Sequence, residues 1–393
     1  MDAIAVGVIG TGTMGAGIAQ VAASAGHDVY LVDRDTSAAH AAAASIGDRF
    51  ARLVVKGRMS ESQALEAASR LHVSGSDPAR LPPVSLVIEA AAEDLGIKHA
   101  ILGALDESQT PDTIIASNTS SLDISQIATG ISHPGRVIGL HFFNPPPLMR
   151  LVEVIRGDSS TSDVLDAASD LMRAWGKTPV RCASTPGFIV NRVARPFYGE
   201  AQRMVAEGII DPASLDAALR DHGGFAMGPM ELTDLIGQDI NLAVGTSVWE
   251  QTGRDPRYEP TAYHQDLVAQ GRLGRKTGRG VYAYDAAGAA IDANPDPDLI
   301  SALVGGDEVN DPVARTIAMI VNEAVDLEHR GVASADDIDT AMRLGTNYPQ
   351  GPFDWLDQLG AQRTGQILDE LDRAYPGGRY RRSVGLVEPV ARS

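Results

Sequence analysis

The sequence predicts an α/β domain built on a largely parallel sheet, followed by two duplicated all-α domains. Three observations carry this expectation. Short β-branched runs alternate with alanine-rich helical stretches over residues 1–183, the pattern of βαβ units whose sheet is covered on both faces. Strand-like runs then stop, and periods such as FIVNRVARPFYGEAQRMVAEG read as long helices. Finally, the chain repeats itself at an offset of 123 residues: Glu200, Ala201, Gly208, Asp216, Ala217, Gly228, Pro229, Asp234 and Gly237 fall on Glu323, Ala324, Gly331, Asp339, Thr340, Gly351, Pro352, Asp357 and Gly360, eight of nine pairs being identical. A duplicated helical unit explains this, because one short unit rarely buries its own apolar face.

The expected strands of the first domain are AIAVGVIG, HDVYLVD, VSLVIEA, TIIAS, RVIGLHFF and LVEVI, with helical periodicity between most of them. The first helical domain is expected over 184–285 and the second copy over 309–393, joined by a linker at 286–308 in which AAGAAIDANPDPD is rich in turn formers.

In VGVIGTGTMGAGIAQ, Gly10, Gly12 and Gly15 have GxGxxG spacing, directly after a strand and directly before a helix. Such glycines permit a tight turn and close backbone approach, and the helix N-terminus offers amides to a pyrophosphate. Thr13 and Met14, between the glycines, belong to the same cofactor-binding turn. Asp33 ends the second strand, 18 residues past Gly15, where a carboxylate accepts hydrogen bonds from an adenosine ribose. It would repel a 2′-phosphate, which favours NAD over NADP, although the neighbouring Arg34 could serve a phosphate. The first domain is therefore read as a Rossmann-type NAD-binding domain.

Fifty-one acidic residues against 33 basic ones give a formal charge of −18 over 393 residues. That field repels nucleic acid and acidic lipid surfaces, so neither is an expected partner. Cys182 is the only cysteine, which excludes a disulfide framework or a thiolate metal site, and no metal is expected. The opening residues carry no basic flank or cleavage site and no apolar run reaches about 18 residues, so a cytoplasmic location is expected.

Polar groups gather at the carboxyl ends of the expected strands, where open α/β sheets bind ligands. Glu89 to Asp94 follow VSLVI, Ser117 to Ser121 (SNTSS) follow TIIA, and His141 to Asn144 follow RVIGL. Some hydroxyls of SNTSS could simply cap a helix beginning near Leu122, and a histidine among aromatic residues is often a satisfied core residue. Glu153, however, sits between Val152 and Val154 in an apolar strand, where an unpaired carboxylate would cost several kcal/mol. If the proline-rich turn folds that strand back beside its predecessor, Glu153 can orient the His141 imidazole and stabilise its protonated form. A histidine so held beside a nicotinamide is suited to take a proton from an alcohol as hydride leaves the same carbon.

GxGxMGxGIA, VIEAAAED, SNTSSL, GLHFFNPPPLMRLVEVI, TPGFIVNR, GPMELTDLIG and RKTGRGVYAY together resemble the L-3-hydroxyacyl-CoA dehydrogenase family, including bacterial 3-hydroxybutyryl-CoA dehydrogenases. WGKTPVRCASTPGFIVNRVARPFYGEA and ELTDLIGQDI look closest to the phenylacetate-pathway branch, whose substrate is 3-hydroxyadipyl-CoA. The resemblance implies that His141 is the catalytic base and Glu153 its paired acid. It implies that Ser120 contacts substrate and cofactor, that Asn191 lies near the substrate carbonyl, and that Glu93, Lys98, Asn144 and Lys276 contact the cofactor. Lys56 would lie near the CoA phosphates, although it and Lys276 also read as ordinary solvated lysines. Pro146 and Leu148 stand where many members have alanine or valine. Arg195, in NRVARP, stands where many members are apolar and would suit a distal acyl carboxylate; otherwise it is a surface arginine on a helix.

Under the 123-residue offset Asn191 falls on Ala314, so the second copy lacks that site residue and is expected to be structural. It would replace the helical dimer contact that single-copy members make between subunits, leaving either a homodimer or a monomer with an internal pseudo-dimer. The expected activity is NAD-dependent oxidation of a short-chain or dicarboxylic L-3-hydroxyacyl-CoA, in a cleft between the α/β domain and the first helical copy. Two alternatives are a CoA-independent β-hydroxy acid dehydrogenase, which usually relies on a lysine base, and a non-catalytic, crystallin-like NAD(H)-binding protein.

Overall fold

The structure, a computed structural model, describes residues 3–291 and 293–387. Residues 1, 2 and 388–393, at the ends of the first and last expected domains, and Asp292 in the expected linker lie outside the described residues. The chain divides into two compact units, Met1–Thr185 and Pro186–Ser393.

In the first unit eight strands form one sheet in the order β3-β2-β1-β4-β5-β6-β7-β8: β1 (Ala5–Ile9), β2 (Asp28–Val32), β3 (Leu71–Val73), β4 (Leu86–Glu89), β5 (Ile114–Ser117), β6 (Val137–Phe142), β7 (Leu151–Arg156) and β8 (Thr178–Ala183). The strands from β3 to β6 run parallel, in the doubly wound order that places a ligand crevice at the carboxyl ends near β1 and β4. Only β6 and β7 pair antiparallel. The reversal comes from HFFNPPPLMR, whose prolines cannot continue a ladder. Strands β4 and β6 are buried at every position, which is why they read as unbroken apolar runs.

The reading of six strands omitted β3 and β8, the two edge strands. β3 has three residues, all partly buried, too few to show a period. β8 contains Pro179 and Arg181 and buries only two of its six positions; proline is tolerated there because an edge leaves one row of amides unpaired.

The second unit is helical apart from a small ribbon of β9 (Ala283–Tyr284) and β10 (Ala290–Ile291). The stretch 286–308 is more structured than a linker: it holds β10 and the helix Pro297–Leu303, capped by Asp296. Ile300 of that helix packs on Ala217 and Ala218. The two copies pack through the helices Arg195–Ala206 and Pro312–His329, and their buried charges are exchanged reciprocally. Glu323 of the second copy accepts from Arg192 Nε (2.6 Å), Tyr258 OH (2.5 Å) and Arg257 Nη1 (3.1 Å). Glu200 of the first accepts from Arg315 Nε (2.9 Å), Tyr380 OH (2.8 Å) and Arg379 Nη2 (2.6 Å).

The repeated Asp and Gly have a shared cause. Asp216 accepts the amides of Met230 and Glu231, and Asp339 that of Phe353, at the starts of the helices Pro229–Ile236 and Pro352–Leu359. A Cβ on Gly228 would stand 2.3 Å from the Asp216 carboxyl, and one on Gly351 2.0 Å from that of Asp339. Neither carboxylate could reach its helix past a larger residue.

Candidate active site

The glycine turn lies between β1 and the helix Thr13–Ser24. Gly10 has φ +91, and a Cβ there would meet Ala90 O at 2.6 Å; one on Gly15 would meet Gly10 O at 1.8 Å. Gly12 differs, since a Cβ on it would meet nothing within 4 Å. Gly12 is also the N-cap, with no side-chain cap bond, so the turn offers open space and helix amides to an approaching pyrophosphate. Thr13 and Met14 form the first turn of this helix.

Asp33 Oδ2 accepts from Thr11 N (2.7 Å) and Thr11 Oγ1 (2.8 Å), and Oδ1 from Asp35 N (3.1 Å). Burial would raise its pKa, but these donors outweigh it and hold the carboxyl below the ordinary aspartate value. An ionised carboxylate beside the turn fits ribose hydroxyls and disfavours a 2′-phosphate. These features fit NAD.

The carboxyl ends of β4 and β5 are tied together by two glutamates. Glu89, at the end of β4, is fully buried; it accepts both contacts of Lys98 Nζ (2.8 and 2.9 Å), Ser117 Oγ (2.5 Å) and Ala91 N (2.7 Å). Glu93 Oε1 accepts from Thr119 Oγ1 (2.5 Å), Ser120 N (3.0 Å), Ser121 N (3.1 Å) and Ser121 Oγ (2.8 Å). Burial opposes its charge, but these donors and Lys98 keep its pKa below the usual glutamate value. SNTSS is therefore organised by Glu93. The cap of the next helix, Ile124–Ile127, is Asp123, and the loop hydroxyls are not spent there. Lys98, expected to contact the cofactor, is only 1% exposed and committed to Glu89 and Glu93. The ammonium so held joins the end of β4 to the loop that Glu93 organises.

His141 and Glu153 are register partners on β6 and β7. The imidazole Nδ1 lies 2.6 Å from Glu153 Oε2, with His141 7% exposed and Glu153 fully buried. The carboxylate that stood out in an apolar run thus has its partner, and the pairing fixes the ring's tautomer and direction. Asn118 Oδ1 accepts the amide of Phe142 (2.9 Å), joining the SNTSS loop to the end of β6 beside His141. Lys177 donates to Pro146 O (2.5 Å) and Met149 O (2.8 Å), bracing the proline turn that carries Asn144.

A groove of about 400 Å³ runs along this turn, lined by Thr13, Arg49, Arg52, Lys56, Asn144 and Leu148 among others. Arg49, Arg52 and Lys56 recur at three- and four-residue spacing along the helix Thr36–Val55 and its C-cap, one face of a helix. On a chain of net charge −18 this is a local basic strip suited to a phosphate-bearing ligand.

The remaining site residues belong to the second unit. Asn191 lies in the helical turn Val190–Val193. Lys276 Nζ pairs with Asp239 at 2.5 Å, both partly exposed. Arg195, read alternatively as a surface arginine, is sequestered enough for burial to lower its pKa. Sequence reasoning missed Thr11 and Lys177, and it placed Glu89 and Asn118 at the sheet edge without giving either a role. The signal that marked Glu153, a carboxylate within an apolar strand, applies equally to Glu89 at the end of β4.

The Rossmann order, the uncapped glycine turn and the ionised Asp33 define a dinucleotide-binding dehydrogenase with a histidine–carboxylate pair at the same sheet edge. Two family models match the chain: the NAD binding domain of 3-hydroxyacyl-CoA dehydrogenase over residues 5–185, and its C-terminal domain over 187–284 and again over 312–390. The chain belongs to the 3-hydroxyacyl-CoA dehydrogenase family and is an NAD-dependent enzyme of that class. It is 41% identical to the 3-hydroxyadipyl-CoA dehydrogenase of Escherichia coli, over 96% of this chain and 95% of that one. It is 40% identical to the 3-hydroxybutyryl-CoA dehydrogenase of Clostridioides difficile, over 71% of this chain and 98% of the relative. The crystal structure of a 3-hydroxybutyryl-CoA dehydrogenase from E. coli superposes with a TM-score of 0.91 at 39% identity, covering 99% of this chain and 98% of that one.

Proposed function

We propose that the chain oxidises the 3-hydroxyl of a short-chain or dicarboxylic acyl-CoA, with His141 as the proton-transferring group. The hydrogen bond between His141 Nδ1 and Glu153 Oε2 carries this reading. With Nδ1–H donated to the carboxylate, Nε2 of the neutral ring is the basic nitrogen. NAD, when bound, supplies the acceptor for the hydride that leaves C3. His141 Nε2 takes the hydroxyl proton as the C3–O bond becomes a carbonyl, and Glu153 offsets the charge gained by the ring. Ser120 and Asn191 hydrogen-bond the hydroxyl or the thioester oxygen and fix C3 for transfer, a positioning contribution. Gly10, Gly12, Thr13, Met14, Gly15, Asp33, Glu93, Lys98, Asn144 and Lys276 hold the dinucleotide. Lys56 meets the CoA phosphates, supported by the basic strip it shares with Arg49 and Arg52.

The reciprocal ion pairs support the second helical copy as an intramolecular substitute for a dimer contact. We place the enzyme in the cytoplasm; among the described residues no helix is long and apolar enough to cross a membrane. The test is steady-state NADH oxidation with acetoacetyl-CoA beside free acetoacetate. Turnover of the thioester and none of the free acid is expected. Comparable rates would point to a CoA-independent enzyme, and NADH binding without turnover of either would contradict the reading.

A further inference from the structure

The end of β4 carries more charge than a structural pin requires. Glu89 is fully buried and Lys98 only 1% exposed, and replacing such an ion pair by apolar side chains is often neutral or stabilising. Ser117 Oγ and Ala91 N, which also donate to Glu89 (2.5 and 2.7 Å), could be held by the oxygen of a neutral amide. The count of charges is uneven as well. Lys98 Nζ lies 2.8 Å from Glu89 Oε1 and 3.3 Å from Glu93 Oε2, and among the described residues it is the only cation paired with either carboxylate. Burial opposes the charge on Glu93, but Thr119, Lys98 and Ser121 hold its pKa below the glutamate value, so it is ionised near neutrality. Two negative charges and one positive leave the cluster with one negative charge in excess. Asp94, the next acid along the chain, is exposed and spent on capping the helix Leu95–Ser108 through Ile97 N (2.9 Å).

The cluster sits on the side of β1 to which the dinucleotide continues. Asp33, at the end of β2, fits the adenosine ribose, and the glycine turn after β1 fits the pyrophosphate. The nicotinamide half then lies over the strand ends beyond β1, the half of the sheet that also carries His141. Glu89 is the first strand end on that side, register partner of Ile9 on β1 and of Ser117 on β5. A Cβ on Gly10 would meet Ala90 O at 2.6 Å and Ala91 N at 2.9 Å, so the residues that follow Glu89 pack against the glycine turn itself. Glu93, with 37% of its side chain exposed, turns the charged cluster toward the open edge.

We propose that the Glu89–Lys98–Glu93 cluster discriminates between the two redox states of the cofactor, its excess negative charge favouring NAD⁺ over NADH. This rests on the reading above that Glu93 and Lys98 hold the dinucleotide. Hydride transfer brings the nicotinamide ring two electrons and one proton, so the ring loses its positive charge while the rest of the cofactor is unchanged. A fixed charge near the ring therefore acts on the difference between the two forms, whereas contacts to ribose and pyrophosphate act on both alike. One unit charge felt over about 10 Å at an effective dielectric constant of about 20 changes an equilibrium constant roughly tenfold. Buried charges are also screened by salt much less than exposed ones.

The test measures dissociation constants for NAD⁺ by calorimetry and for NADH by fluorescence titration, at one pH, in variants that change the charge count. Glu89→Gln removes the excess charge and is expected to lower the ratio of Kd for NADH to Kd for NAD⁺ by about five- to tenfold. Lys98→Met doubles the excess and is expected to raise the ratio by a similar factor. The double variant Glu89→Gln/Lys98→Met again leaves one negative charge, on Glu93, and is expected to bring the ratio back to within about twofold of wild type. Glu93→Gln removes the excess while leaving the buried Glu89–Lys98 pair intact; it is expected to lower the ratio too, and takes the place of Glu89→Gln if that variant does not fold. Affinities that change while the ratio stays within about twofold of wild type in every variant would make the cluster structural and overturn the proposal. Shifts of the same sign in Glu89→Gln and Lys98→Met would overturn it as well. Unchanged affinity for both forms in all the variants would instead sink the reading that these residues hold the dinucleotide.

Discussion

Replacing His141 with alanine is expected to lower kcat by about 10³- to 10⁴-fold while leaving the NADH dissociation constant within about twofold. General acid–base catalysis by a positioned side chain contributes about 10²- to 10⁴-fold, and the ordered pair built here argues for the upper part of that range. Cofactor affinity is expected to survive because the glycine turn and Asp33 lie at the ends of β1 and β2, whereas His141 lies on β6, separated from β1 by β4 and β5. Alanine would leave the buried Glu153 without its imidazole, so His141→Gln is the companion variant: its amide can still donate to the carboxylate but cannot take a proton. Steady-state rates and fluorescence titration with NADH check both. Loss of NADH binding in step with loss of turnover in both variants would remove His141 from the chemistry.

The second large effect is on stability. Glu200→Gln is expected to destabilise the helical unit by about 3–5 kcal/mol, the usual cost of leaving buried cations without their partner. Arg315 and Arg379 both terminate on this carboxylate and are nearly or fully buried, so neither can turn to solvent. Urea unfolding of the full chain, followed by hydrogen exchange in Arg195–Ala206 and Pro312–His329, measures the loss. The pH dependence has a definite sign. Burial alone would raise the Glu200 pKa, but Arg379 and Arg315 outweigh it and bring it down from 4.5 to about 2. A group depressed in the folded state stabilises fully above its unfolded value and loses that contribution as the pH falls through its folded value. Wild-type stability is therefore expected to fall between about pH 4.5 and pH 2, and Glu200→Gln to flatten that part of the curve. A variant as stable as wild type would show that the pair contributes packing alone.

The elements that were legible in the sequence had their physics within a few residues. β1, β4 and β6 are covered on both faces and so appear as apolar runs; the glycine turn has its own spacing; Glu153 announced a partner by its apolar neighbours. β3 and β8 were hidden because edge strands are half exposed and need no apolar run. The placement of Lys98 was hidden for a different reason. Its ammonium is buried by Glu89 on β4 and by Glu93 in the following loop, and nothing in the helix Leu95–Ser108 itself marks that lysine as different from a solvated one. The repeat was visible at an offset of 123, yet the Arg-Tyr pairs that complete each charged cluster were missed. They recur at 122, one residue out of step with the rest, so a single fixed offset passes over them. The reciprocity that gives the duplication its purpose, each copy's glutamate answering the other copy's arginines, exists only in the folded unit.

In the proposed chemistry Glu153 sets the tautomer with which His141 exchanges the substrate proton. Stopped-flow single turnover of enzyme-bound NADH with acetoacetyl-CoA tests it most directly in Glu153→Gln, because the transfer step is read apart from binding and product release. The transfer rate is expected to fall by about 10²-fold or more, with NADH affinity unchanged and His141→Ala no slower than the double variant of both residues. A Glu153→Gln enzyme that transfers hydride at the wild-type rate would contradict it.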